Sequence, residues 1–266
     1  MDNHKKEIIV TVGCSVCVAI TAVIAALIAH TPKREYEVRI VPSYENVNTA
    51  DYFPLKKGNS WTYIGKARSA VEGGDTIERK VCVEMCVVDE VAGAKATLFV
   101  MEGHPSDALW ALKKNTVIQE VSPVEPSIYG FLVVANKIFR IPEKNLSAIT
   151  AVLHKGGLMP DSLLSSSDMN FEFPLFRGQV YGSASQLARD DIKYKWLVND
   201  STLYHHPDSG RMRECPRYTL VYNTVPDFTE IGFIPYHGIT SYSYRHHGTT
   251  AEVDVYLQKH TVHTEK

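Results

Sequence analysis

Three features are scarce or missing in this sequence, and each excludes a class of protein. Five cysteines in 266 residues are too few for a disulfide framework in a fold of this size. A formal net charge of -2 leaves no basic excess, so we expect no nucleic-acid partner. Neither G-x-x-x-x-G-K-[ST] nor G-x-G-x-x-G occurs, which argues against a nucleotide phosphate cradle.

The composition that is present predicts a folded protein. Hydrophobic residues make up 44% of the chain, whereas disordered chains are poorer in them. A content of 16 Gly and 13 Pro is too low for collagen or a low-complexity segment. The length suits one large domain or two small ones with a buried core.

The N-terminal segment Ile8 to Ala29 predicts a transmembrane helix. It holds 22 residues without a charge, preceded by Lys5 and Lys6 and followed by Lys33 and Arg34. At a rise of about 1.5 Å per residue this helix would be roughly 33 Å long, enough for a bilayer core of about 30 Å. Residues 8–29 are therefore expected to contact the lipid bilayer directly.

Two alternatives to an uncleaved signal-anchor exist for this segment. Cleaved signal peptides have a shorter apolar stretch, and Leu27-Ile28-Ala29 is a poor cleavage site. Lipidation at Cys14 would leave only Ile8 to Val12 as the apolar region. The signal-anchor is favoured. Basic residues flank both ends of the segment, so their count does not choose the orientation. A seven-residue tail before a large domain favours a single-pass protein with its C-terminal domain outside the cytoplasm.

Small residues recur at every fourth position of the span, at Gly13, Cys17, Thr21, Ala25 and Ala29. Such a stripe lets two helices approach closely, so the span could self-associate. A span rich in Ala, Val and Thr also produces such stripes by chance, and this second interpretation is favoured.

Beyond the span, period-two alternation of apolar and polar residues predicts half-buried antiparallel strands. Four segments show it: Val81, Val83, Met85 and Val87; Ile192, Tyr194, Trp196 and Val198; Tyr218, Leu220 and Tyr222; Ala251, Val253, Val255 and Leu257. One short helix is expected where Leu146, Ile149, Val152 and Leu153 share a face before Gly156-Gly157. The predicted fold is a sandwich or an open, half-barrel-like sheet.

A repeated sequence motif suggests two related halves, residues 51–141 and 171–260. The segment from Phe53 to Trp61 and the segment from Phe173 to Tyr181 both read F-P-L-x-[basic]-G-x-x-[aromatic]. The alternative is that one strand-entry motif arose twice. The full predicted organisation is a tail (1–7), a transmembrane helix (8–29), a linker (30–50), a β-domain (51–260) and a tail (261–266).

The two ends of the β-domain carry a resemblance. The opening Asp51 to Leu55, continued by Gly58 to Tyr63, is similar to openings of uncharacterised exported bacterial domains, and Gly232 to Pro235 with Glu252 to Leu257 resembles their endings. The resemblance implies an extracytoplasmic, mostly antiparallel β-domain that is often tethered to a membrane. It brings no catalytic residues with it.

Histidines offer the first candidate chemistry, in His205-His206, His237 and His246-His247. Adjacent histidines on a strand point to opposite faces, so a metal site would need His205, His246 and a nearby carboxylate. Turn or surface roles are favoured over this site, so no metal ligand is assigned.

The remaining candidates also have plainer interpretations. Cys82 and Cys86 lie about 13 Å apart on a strand, too far for a disulfide; either could pair with Cys215, but free thiols are favoured. The sequence from Gly182 to Ser185 lacks the second glycine of a hydrolase nucleophile elbow. Tyr242, Tyr244 and His246 share one strand face, where they would line a ligand groove or, as favoured, fill the core.

The sequence thus predicts a membrane-anchored β-domain that binds something or serves a structural role at the cell envelope. A protein or a lipid-like molecule is the expected partner. The alternative is a membrane-tethered enzyme, either hydrolytic or metal-dependent. We assign no catalytic residue, cofactor-binding residue, metal ligand or cofactor.

Overall fold

A computed structural model describes most of the region beyond the predicted span. The described residues are 48–70, 76–112, 122–156, 159–160, 164, 168–205, 214–248 and 250–263. The predicted transmembrane helix at 8–29, its proposed self-association and the tail before it lie outside these residues. No helix within the described residues has the length and apolar character needed to cross a membrane.

Thirteen strands are present in the described residues, and all belong to one sheet. In chain order they are β1 (Ser60–Ala70), β2 (Thr76–Ala92), β3 (Ala96–Glu102), β4 (Ser122–Pro123), β5 (Ile128–Val134), β6 (Lys137–Pro142), β7 (Asp168–Glu172), β8 (Val180–Tyr181), β9 (Trp196–His205), β10 (Glu214–Asn223), β11 (Asp227–Ile234), β12 (Gly238–His246) and β13 (Ala251–Thr261).

The strand order consists of two antiparallel meanders joined in the middle. The order is β7-β6-β5-β3-β2-β1-β13-β12-β11-β10-β9-β8, with β4 pairing in parallel with β2 to one side. The first and last long strands, β1 and β13, form the central pair. Within each meander most consecutive strands are joined by short connections, so neighbours in sequence become neighbours in the sheet.

The two ends of the sheet, β7 and β8, approach each other without a backbone ladder. The Tyr181 hydroxyl donates to the Asn170 carbonyl at 2.9 Å, and Gln179 Nε2 donates to the Glu172 carbonyl at 2.8 Å. The result is a nearly closed, barrel-like sheet. Mainly antiparallel β structure is therefore confirmed, with the half-barrel alternative closer to the observed fold than the sandwich.

Four short helical segments accompany the sheet in the described residues, where the sequence predicted one. They are α1 (Thr49–Tyr52), a 3-10 helix (Pro105–Leu112), α2 (Glu143–His154) and α3 (Ala184–Leu187). The predicted helix is α2, which buries Ile149 and Leu153 against the outer face of the first meander. The others have too few turns to show a helical period in the sequence.

Helix α1 includes residues assigned to the linker. The Asn48 side chain caps it, and the buried Thr49 donates its hydroxyl to the Ala135 carbonyl at 2.8 Å. The folded region of the described chain thus begins before Asp51, and Thr49 anchors its first residues to the turn after β5.

The predicted alternation agrees with the observed burial in three of the four segments. Val81, Val83, Met85 and Val87 are all at most 3% exposed, and the inward residues of β10 and β13 are likewise buried or half-buried. The prediction was wrong for the start of β9. Ile192 is 50% exposed and Tyr194 has a φ of 62°, because a turn occupies these positions and the strand begins at Trp196.

The two F-P-L segments make the same backbone hydrogen bonds. Gly58 N–H donates to the Val87 carbonyl, and Val87 N–H donates back to the Asn59 carbonyl. In the second segment Gly178 N–H donates to Val198, and Val198 N–H donates back to Gln179. In each segment these hydrogen bonds fix a turn against the second strand of its own meander, which is β2 for the first segment and β9 for the second.

Both segments also send a phenylalanine into a shared aromatic cluster. Phe53 and Phe173 each lie 5.5 Å from Phe233, measured between ring centroids, and both contact Phe171. These rings fill one part of the interior and connect the two meanders. Each aromatic pair stabilises this connection by about 0.5–1.5 kcal/mol beyond its buried area.

Candidate functional site

The histidines singled out in the sequence do not come together. His205 pairs with Glu214 at one end of β10, while His246 pairs with Asp227 beside the other end of that strand. Nine residues at about 3.3 Å each separate the two positions along the strands by roughly 30 Å. His205 and His246 are therefore too far apart to bind one metal ion, and no group of three or more metal-binding side chains occurs among the described residues.

His246 instead belongs to a hydrogen-bonded cluster around Asp227. One oxygen of the Asp227 carboxylate accepts from the Tyr244 hydroxyl and from His246 Nδ1, at 2.8 Å for the latter, and Thr224 bonds to the other oxygen. Burial opposes ionisation, but the bonds from Tyr244 and His246 outweigh it and lower the pKa of Asp227. The cluster joins the turn after β10 to the end of β12.

The other sequence candidates have structural roles. Ser183 caps α3: its hydroxyl accepts from Gln186 N–H, and the Gln186 side chain accepts from Ser183 N–H. Cys82 and Cys86 are free thiols on the outer face of β2. His237 lies at the turn before β12, at the far end of that strand from His246.

A cavity of about 180 Å³ lies inside the sheet next to the gap between β7 and β8. Residues of both meanders line it, together with one residue of α3. They are His104, Arg140, Asp168, Met169, Asn170, Gln186, Trp196, Tyr222, Thr229, Ile231 and Tyr242. Asp168 is exposed and marks the solvent side of the cavity.

His104 is held rigidly at the inner wall of this cavity. It is 3% exposed, and its ring packs edge-to-face against Tyr129 and Tyr242, with both centroid separations at 5.6 Å. The Asp107 carboxylate accepts from His104 N–H and from Ser127, which fixes the backbone that carries the ring.

Hydrogen bonding assigns the tautomer of His104. Ser106 N–H donates to Nδ1 at 3.1 Å, so Nδ1 must keep its lone pair. Burial, followed by the nearby charge of Arg140, holds the pKa of His104 well below 6.5, so the ring is neutral and its proton is on Nε2. This buried Nε2–H has no hydrogen-bond partner within the described part of the chain.

Arg140 places a positive charge beside that free N–H. It points inward from β6, and its guanidinium carbon lies 4.6 Å from the centroid of the Tyr129 ring. Among the described residues no carboxylate forms an ion pair with it; Asp168 stands opposite in the strand register but remains exposed. Arg140 is half-buried at the cavity without a carboxylate partner, which makes it a candidate site for an anion.

Aromatic and apolar side chains share the remaining wall with the polar residues Asn170, Gln186 and Thr229. The Trp196 ring lies 5.0 Å from Tyr222 and 6.4 Å from Tyr181, measured between centroids. Tyr242, on the face predicted from the sequence, is 6% exposed, and burial raises its pKa to about 12. Its hydroxyl therefore stays protonated at neutral pH.

The cavity combines hydrogen-bond donors with flat apolar walls. Its innermost polar groups are a cation and a neutral imidazole N–H, which would hold an acceptor or an anion. The chemistry that the arrangement supports is binding.

Sequence reasoning passed over His104 and Arg140, the two central residues of the site. His104 lies in Gly103-His104-Pro105-Ser106-Asp107, which reads as a turn, and Arg140 interrupts the apolar run from Ile138 to Ile141. The one available signal was that Arg140 occupies an inward position in the alternation of β6, with Ile138 before it.

Comparison with known proteins yields no family. No protein-family profile matches the chain, and neither does any curated protein. A solved structure of a candidate exported protein with a YmcC-like fold from Bacteroides fragilis is 8% identical over 79% of this chain and 98% of its own, with a TM-score of 0.36. A candidate lipoprotein from Parabacteroides distasonis is 10% identical over the same shares, with a TM-score of 0.34. At these values the likenesses assign neither family nor function.

Proposed function

We propose that this protein is a membrane-anchored binding protein of the cell envelope. In this proposal residues 8–29 hold the chain in the bilayer, and the β-domain binds a small molecule outside the cytoplasm. The anchoring part is supported by the uncharged 22-residue segment and its basic flanks. The binding part is supported by the cavity.

One observation carries the binding proposal: a buried donor and a half-buried cation line the cavity without partners. The Nε2–H of His104 is buried and has no acceptor among the described residues, and the half-buried guanidinium of Arg140 forms no ion pair with them. A buried donor without a partner costs about 1–3 kcal/mol, so a fold retains one where a ligand completes the bonding.

The cavity is small for a lipid-like ligand. Drug-sized ligands occupy pockets of about 300–1,000 Å³, and this cavity measures about 180 Å³. An apolar cavity of about 150 Å³ in another protein holds benzene. A ligand of one ring with a short polar group therefore fits better than an acyl chain.

A cavity-filling substitution tests the binding proposal. Thr229→Phe on β11 places a ring in the cavity and should reduce binding of single-ring probes at least ten-fold, because probe and side chain compete for one space. Isothermal titration calorimetry of the full-length chain with benzoate, benzamide and benzylamine measures this.

The matched control is Thr62→Phe, which makes the same change at a half-buried position of β1 outside the cavity lining. It should leave the affinity of every probe within about two-fold of the unsubstituted protein. If none of the three probes binds, or if Thr229→Phe binds them as before, the binding proposal is refuted.

A further inference from the structure

We infer that the ligand is a small monocarboxylate attached to a flat apolar body. This inference rests on the proposed function and names the chemical class that the same cavity selects. Arg140 and His104 would hold the carboxylate, while Trp196 and Tyr222 cover the flat part.

The inner polar groups favour an anion over a neutral or cationic ligand. Arg140 carries a permanent charge and presents a planar fork of donors that matches a carboxylate. His104 adds a neutral donor at Nε2, since its Nδ1 is occupied by Ser106 N–H. A water molecule could satisfy His104, but it would leave the charge of Arg140 without a counter-ion.

Asp168 limits the charge of that anion. Asp168 belongs to the cavity lining, and its backbone lies opposite that of Arg140 in the register of β6 and β7. Because water screens its charge, Asp168 only partly offsets Arg140, and it also disfavours a second negative charge near the cavity entrance. A monocarboxylate therefore fits better than phosphate or a dicarboxylate.

The aromatic wall determines the shape of the rest of the ligand. The rings of Trp196 and Tyr222 are inclined by 37°, and Met169 and Ile231 complete an apolar surface beside them. Aromatic rings pack in offset or inclined contacts at centroid distances of about 4.5–7 Å. A single aromatic or unsaturated ring matches both this surface and the cavity volume.

Three probes of nearly equal shape but different charge separate the effect of ligand charge on affinity from the effect of ligand shape. In calorimetry on the full-length chain, benzoate should bind about ten-fold more tightly than benzamide, and benzylamine should bind more weakly still. The ten-fold preference follows from a hydrogen bond to a charged group. Equal affinity for benzoate and benzamide would overturn the carboxylate inference while leaving the binding proposal intact.

Substitutions at Arg140 assign the preference to that residue. Arg140→Met should lower the affinity for benzoate at least ten-fold and change the affinity for benzamide by less than about three-fold. Arg140→Lys keeps the positive charge but loses the planar fork of donors, so its benzoate affinity should lie between those of the unsubstituted protein and Arg140→Met. The lysine variant also tests the inference if the methionine variant does not fold. Unchanged benzoate affinity in the folded variants contradicts the inference.

Two further variants control for charge at a distance. Arg177→Met removes an exposed arginine outside the cavity lining and should leave benzoate affinity unchanged. Asp168→Asn removes the negative charge at the entrance and should strengthen benzoate about two-fold or more, with benzamide unaffected. Weaker benzoate binding in Asp168→Asn would show instead that the site selects a ligand with a positive group.

Discussion

At the scale of single residues, two polar groups of the cavity, on His104 and Arg140, are the main contributors to the proposed ligand affinity. His104 is buried and Arg140 is half-buried, at a cavity that Trp196, Tyr222 and Tyr242 also line. Each is held in place by neighbours: His104 by Ser106 and two tyrosine rings, and Arg140 by the Tyr129 face. Donors fixed in advance lose little freedom when a ligand binds, and this raises affinity.

The neutral state of His104 predicts a pH dependence of stability. Burial keeps its pKa low in the folded protein, whereas the unfolded chain takes up a proton on this residue below about pH 6.5. The unfolded state then binds more protons. The free energy of unfolding should therefore fall as pH drops through about 6.5, by up to about 1.4 kcal/mol per pH unit from this residue.

Urea unfolding of the protein and of His104→Gln at pH 7 and pH 5 measures this contribution. The variant should gain about 1–2 kcal/mol relative to the unsubstituted protein between the two pH values. The exposed His247 provides the control, since His247→Gln changes a ring that water surrounds in both states. A stability difference for His104→Gln that is the same at both pH values would contradict the assignment.

At the scale of elements, the two F-P-L segments are the clearest case of a sequence pattern with a defined structural role. Gly58 and Gly178 have φ angles of 90° and 84°, in the left-handed region that glycine adopts most easily. Their equivalent bonds to Val87 and Val198 hold the turn that enters each meander. Whether the halves 51–141 and 171–260 share an origin remains a proposal, supported by this shared geometry.

A glycine series tests which backbone positions matter. Gly58→Ala and Gly178→Ala should each lower the free energy of unfolding by about 1 kcal/mol, since the added Cβ meets open space and only the backbone angle is strained. Gly65→Ala should cost several-fold more, because its Cβ would lie 1.9 Å from the Asp254 carbonyl oxygen on β13. Chemical denaturation ranks the three, and an equal loss at all three positions would contradict this account.

The strands were predictable where one face meets the core and the other meets water, as in β2 and β13. The start of β9 was not, because Ile192 and Tyr194 continue an alternation that the backbone does not follow. Helix α2 was predictable from its apolar face. Helix α3 and the 3-10 helix were not, since short helices depend on caps and on contacts from distant strands.

At the scale of the whole molecule, the site results from the near closure of the sheet. Arg140 on β6 and Trp196 on β9 belong to different meanders, and they line one cavity because β7 and β8 meet at the gap. The absence of a backbone ladder between these two described strands leaves room for a cavity beside the gap.

Membrane anchoring is tested on the full chain in cells. We expect the protein to sediment with membranes and to remain there after an alkaline wash. Replacing both Val18 and Ala19 by arginine should reduce insertion, because each arginine near the middle of a span costs about 2.5–3.5 kcal/mol. Val225→Arg, at a residue 63% exposed on the β-domain, is the control and should stay with the membranes. Recovery of a soluble chain lacking its first thirty or so residues would refute the anchor.

The sequence by itself determined the local character of this protein: which strands alternate, where α2 forms, which glycines turn the chain and which segment is apolar enough for a bilayer. These follow from interactions between near neighbours along the chain. Only the tertiary structure decided that His205 and His246 lie far apart and that His104 and Arg140 line one cavity. Strand register and sheet closure bring together residues remote in sequence, and no local pattern of hydrophobicity encodes those distances.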